Sequence, residues 1–89
     1  MASYIVAYDL HQQGQNYDCI HKKLQAYGTY WHMQDSVWVL VTDQSTTQIR
    51  DNLLSCLDSN DKLFVGRLSG DAAWFGYPDN VTQWLQTSL

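Results

Sequence analysis

Apolar and polar positions alternate along the chain in a way that changes period several times. Residues 3 to 9 (SYIVAYD) carry apolar groups on both alternating faces, which predicts a strand covered on two sides. His11 to Gln15 is polar and contains Gly14, so it predicts a loop. From Asn16 the apolar residues fall at Tyr17, Ile20, Leu24 and Tyr27, one stripe of a helix. Gly28 follows where a helix end favours a positive φ. Residues 29 to 33 and 36 to 42 are aromatic and β-branched, with Gln34 and Asp35 between them, the pattern of a hairpin. In its second arm Val37, Val39 and Val41 share one face, and Trp38 and Leu40 the other. Ser45 and Gln48 have capping-box spacing, and Ile49, Leu53, Cys56 and Leu57 form a second helical stripe. After a turn at Asn60 and Asp61, residues 62 to 68 (KLFVGRL) predict a fourth strand.

The order strand, helix, strand, strand, helix, strand is the split βαβ arrangement of ferredoxin-like folds. It predicts an α+β sandwich: a four-stranded antiparallel sheet with two helices on one face. The single domain spans residues 1–89, with a core of about 3–68 and an aromatic C-terminal tail from 69 to 89. The tail places Trp74, Phe75 and Tyr77 in an irregular stretch between Gly70 and Pro78. Asp79 or Asn80 then caps a last helical turn carrying Val81, Trp84 and Leu85. Two uses of the tail fit the pattern. It covers the open sheet face of its own subunit, or it docks through Trp74 and Phe75 on a second subunit or partner.

Charge narrows the function. Nine aspartates and no glutamate stand against five lysines and arginines, for a net charge of −4. Nucleic-acid binders neutralise phosphates with Lys and Arg. Here Lys22, Lys23, Arg50, Lys62 and Arg67 are scattered, which disfavours nucleic acid unless a metal or partner adds positive charge. No run approaches the ~20 apolar residues of a membrane span, and no basic leader precedes the first strand. Cys19 and Cys56 lack metal-ligand spacing and are expected as reduced thiols in a cytoplasmic protein. His11, His21 and His32 are not spaced as a metal motif, and His21, beside Lys22 and Lys23, is expected on the solvated side of its helix.

Tyr8-Asp9-Leu10 at the end of the first strand and the hairpin Met33-Gln34-Asp35-Ser36-Val37-Trp38 resemble the small CRISPR-associated adaptation proteins of the Cas-two family. The likeness extends over residues 3–68 in the order of elements and is greatest to the shorter, divergent members. It implies a ferredoxin-like homodimer in antiviral defence. Some members of that family are metal-dependent endonucleases on RNA or DNA, and others are structural partners of the CRISPR integrase. Asp9 matches the strand-end aspartate that faces its copy across the dimer axis. The resemblance makes it the catalytic and metal-ligating residue, with Mg²⁺ or Mn²⁺ as the ion. Asp9 also suits that chemistry by type, because Mg²⁺ takes carboxylate oxygens together with water and phosphate. His11, two residues on, is the candidate proton-transfer partner, and Asp71 a candidate second acidic ligand. The residues after Asp9 lack the basic side chains usual there, and the chain is acidic. A non-catalytic scaffold that docks on a basic partner is therefore the alternative.

Overall fold

The structure, a computed structural model, describes residues 1–11 and 17–89. The loop expected from His11 to Gln15 and the helix start at Asn16 fall largely outside the described residues. The elements are β1 (Ala2–Asp9), α1 (Tyr17–Gln25), β2 (Tyr30–Gln34), β3 (Val37–Thr42), α2 (Thr46–Leu54), β4 (Lys62–Arg67) and α3 (Asp79–Ser88). The strands form one antiparallel sheet in the order β2-β3-β1-β4. Two crossovers interleave in that order, since β3 lies between β1 and β2 while β1 lies between β3 and β4. This arrangement is compatible with a ferredoxin-like fold.

The strand register sorts side chains between two faces. Tyr4 pairs with Leu40 and Val6 with Trp38, which sets Tyr4, Val6, Tyr8, Trp38 and Leu40 on one face. Ile20 and Leu24 of α1 and Ile49 and Leu53 of α2 bury themselves against that face and complete the core. Each helix therefore owes its position to its apolar stripe, because a nine-residue helix is marginal alone. The Ser45 side chain accepts the Gln48 N–H while the Gln48 side chain accepts the Ser45 N–H, so the predicted capping box is formed. Gly28 ends α1 with φ at +84° and donates its N–H to the Gln25 carbonyl.

The other sheet face carries Ile5, Val39 and Trp31, and the tail lies over it. Trp31 meets the Tyr77 ring edge-on at 4.8 Å, and Leu85 is 4% exposed. Ser3 donates its hydroxyl to the Ser88 carbonyl, tying the end of α3 to the start of β1. The tail thus covers its own sheet. Its helical part is a ten-residue α3 rather than one turn, and neither Asp79 nor Asn80 caps it. Pro78 stands at the N-cap with no side-chain bond, its fixed φ suiting the helix entry.

The cysteines depart from expectation. Cys19 of α1 and Cys56, just beyond α2, are joined in a disulfide, so they are not the two reduced thiols expected from their spacing. Their Cα atoms are 5.5 Å apart because α1 and α2 lie side by side on one sheet face, a tertiary proximity no local motif encodes. Among the described residues no helix is long and apolar enough to cross a membrane.

Candidate functional site

Asp9 is the last residue of β1 and sits opposite Lys62 of β4. It is exposed, and its carboxylate has no hydrogen bond or ion pair among the described residues. Together with Ala7, Lys62 and Phe64 it borders a shallow depression at this end of the sheet. Phe64 is 63% exposed, its ring folded back over Gly66, where an added Cβ would come within 2.8 Å of it.

Leu10 is buried and anchors the chain between the exposed Asp9 and His11. The backbone N–H of His11 donates to Asp61 Oδ1 at 2.7 Å, and that of Asp58 donates to Asp61 Oδ2 at 2.8 Å. Asp61 therefore clamps the exit of β1 to the approach to β4. From sequence it marked only a turn. Asp71 lies in the tail, exposed, with its N–H donated to Ser69 Oγ. Among the described residues no three His, Cys or Asp side chains come together in a group that could hold a metal ion.

The helix-covered face holds a second cluster that sequence did not reveal. The buried Tyr8 hydroxyl accepts the Trp38 indole N–H at 3.1 Å and lies 3.1 Å from Nε2 of His21. His32 stacks on Trp38 with centroids 4.1 Å apart and planes 12° from parallel. Its Nε2–H donates to the Asp35 carbonyl at 2.7 Å. His21 closes the group, 5.2 Å from His32 and 5.4 Å from Trp38. It is half-buried against the sheet rather than on the solvated side expected from its lysine neighbours. The stripe through Tyr17, Ile20 and Leu24 is wide enough to include it. The signal lay in the cross-strand pair of His32 and Trp38, but that pairing needs the register to be seen. By strand alternation Tyr8 faces the helices and Asp9 the opposite side, so this cluster and Asp9 do not form one site.

Burial raises the Tyr8 pKa above its ordinary value, an effect partly offset by the Trp38 hydrogen bond and reinforced by Tyr17. Burial also lowers that of His21 below 6.5, helped by His32 and opposed by Asp18. The unfolded chain therefore takes up this proton more readily than the folded one. Stability contributed by neutral His21 is present above about pH 6.5 and is lost as pH falls toward its lowered folded value. Urea unfolding between pH 7.5 and 5 should show the wild type losing more stability than His21→Gln. Parallel losses would remove His21 as the cause.

The tail residues occupy two different environments. Trp74 is half-buried and donates its indole N–H to Thr82 Oγ1 at 3.1 Å. Phe75 is 98% exposed. No protein-family model matches this chain.

Proposed function

We propose that this chain is a CRISPR-associated protein of the Cas-two type, a cytoplasmic homodimer of CRISPR adaptation that cleaves RNA or DNA with a divalent metal. The supporting observation is the position of Asp9, exposed and unpaired among the described residues, beside the exposed Phe64. A second copy bound over this end of the sheet brings a second Asp9 toward the first. One carboxylate per chain is too few for Mg²⁺, but a pair fits an ion that keeps waters and takes phosphate oxygens. Such an ion, when bound, would supply charge neutralisation at the scissile phosphate and activate a water for attack. Asp9 from each subunit would hold it, and His11, exposed two residues on, would exchange a proton with the reacting water or leaving oxygen. Paired carboxylates repel one another, so this reading makes activity depend on both metal and pH.

A second reading is favoured by the fully exposed Phe75, which stands between Asp71 and Asp79 in an acidic chain. Here the protein cleaves nothing and serves as a dimeric scaffold that docks on a basic partner such as the CRISPR integrase. Both readings place the chain in the cytoplasm, where most thiols are reduced. The Cys19–Cys56 bond pulls against that location.

One experiment separates the readings. Labelled single-stranded RNA and double-stranded DNA are incubated with wild type and Asp9→Asn in Mg²⁺, Mn²⁺ or EDTA, with the solution mass of each protein measured alongside. The first reading expects metal-dependent cleavage that falls by at least roughly 100-fold in a still-dimeric Asp9→Asn, the upper end of what loss of mere outer-shell support costs. Absence of cleavage in a dimeric wild type selects the scaffold. Equal cleavage by both proteins rejects Asp9 as the catalytic residue.

A further inference from the structure

Between the exposed edge of β2 and the N-terminal half of α3 lies a cleft of about 220 Å³, lined by Tyr30, Trp31, Asn80, Val81 and Trp84. Small-molecule sites span roughly 300–1,000 Å³, so this one is sized for the end of a single side chain. Trp31 and Trp84 stand 6.4 Å apart with planes inclined at 56°. Trp31 is held from behind by the edge-on Tyr77, and Tyr30 leans on Trp38 at 5.4 Å. The rings are therefore fixed by the tail and the core, and their orientation is set before any ligand arrives. None of the five lining residues carries a charge, and Asn80 adds a side-chain amide.

The charge carried by the stretches of sequence that contain these residues is one-sided. Residues 24–49 and 68–89, which contain β2, β3, the tail and α3, hold Asp35, Asp43, Asp71 and Asp79 and no lysine or arginine. All five cations, and the five other aspartates, lie in the remaining segments. The net charge of −4 therefore falls in these stretches of sequence, where Asp79 directly precedes Asn80 of the cleft and Asp43 lies 3.7 Å from the N-terminal ammonium. Aromatic faces attract cations, and a planar guanidinium both stacks on indole and donates to an amide or hydroxyl oxygen. A nucleobase also stacks on tryptophan, but its phosphates need cations that this part of the chain lacks.

We propose that the cleft between β2 and α3 receives an arginine side chain from a basic segment of a partner protein. The inference deepens the docking reading and rests on it only in needing a basic partner. It is independent of Asp9 and of cleavage.

The test titrates the full chain with a short Gly/Ser peptide carrying two arginines, and with the same peptide carrying lysines. Tryptophan emission and the Trp84 indole N–H resonance are followed at low and at moderate salt. The arginine peptide is expected to bind more tightly than the lysine peptide and to shift that resonance, with affinity falling as salt rises. Trp84→Leu, checked for folding by circular dichroism, should weaken binding roughly 2- to 30-fold, the range of a lost cation–π contact. Asn80→Asp, at an exposed first-turn position, should tighten it, whereas Leu54→Ala, exposed on α2, should leave it unchanged. No binding, or equal binding by wild type, Trp84→Leu and Asn80→Asp, overturns the proposal. So does a Trp84 shift produced by oligo-U and not by the arginine peptide. A wild type that binds the arginine peptide at Trp84 but no integrase would retain the cleft and reject the docking reading, so the two fail separately.

Discussion

Replacing Cys19 and Cys56 together by alanine is expected to lower the unfolding free energy by about 2–4 kcal/mol. The bond closes a loop between residues 37 apart in sequence, for which the chain-entropy relation gives about 4 kcal/mol. The two sulfurs join α1 to the end of α2, the two elements that cover one sheet face, so the cross-link holds together the layer that makes the core. In a domain of this size such a loss lowers Tm by on the order of 10–30 °C. Thermal unfolding of wild type with and without reductant should reproduce the shift, while the double variant should be insensitive to reductant. Alkylation under non-reducing, denaturing conditions should label neither cysteine, and labelling of both after reduction should add two adducts to the mass. Labelling of both without reductant, or a wild-type Tm indifferent to reductant, would show that the bond does not stabilise the protein. The result also bears on location. A fold that needs the bond suits an oxidising compartment, and one that tolerates its loss suits the cytoplasm proposed above.

The elements that could be read from sequence are those written in local chemistry. The Ser45–Gln48 box, the Gly28 stop and the alternation of Trp38 and Leu40 with Val37, Val39 and Val41 each act within a few residues, and each appears in the structure. The disulfide and the Asp61 clamp depend on which elements become neighbours, and so do the partners that His21 meets on the sheet. Spacing along the chain carries no trace of that. Asp9 shows the boundary clearly. Sequence placed it at a strand end, which is correct, but whether another carboxylate meets it depends on a second copy of the chain. Tail residue Trp74 was a candidate contact by composition, and its indole N–H proves to be held by Thr82 within the same tail. Phe75, one residue on, remains outward.

Ending the chain after Leu68 is expected to leave a protein that no longer folds as a monomer. The tail covers Ile5, Val39 and Trp31, and without it an apolar sheet face opens to water. Leu85 alone, at 4% exposed, accounts for about 1.5–3 kcal/mol of burial, and Trp74, Tyr77 and Trp84 add partly buried rings. The Ser3 hydrogen bond to Ser88 is lost as well. Domains of this kind are stable by only about 5–15 kcal/mol in total, so the loss is a large share of what holds the chain folded. The expected outcome is a truncated chain that is unfolded or associates through its bare face, seen by circular dichroism and by solution mass. Leu85→Ala is the graded form of the same test. It removes one side chain from the covered face and should cost about 2–5 kcal/mol in urea unfolding. A truncated chain that stays monomeric and melts like wild type would mean that the tail rests on the sheet without stabilising it. The tail's aromatic residues would then be free to serve a partner instead of their own fold.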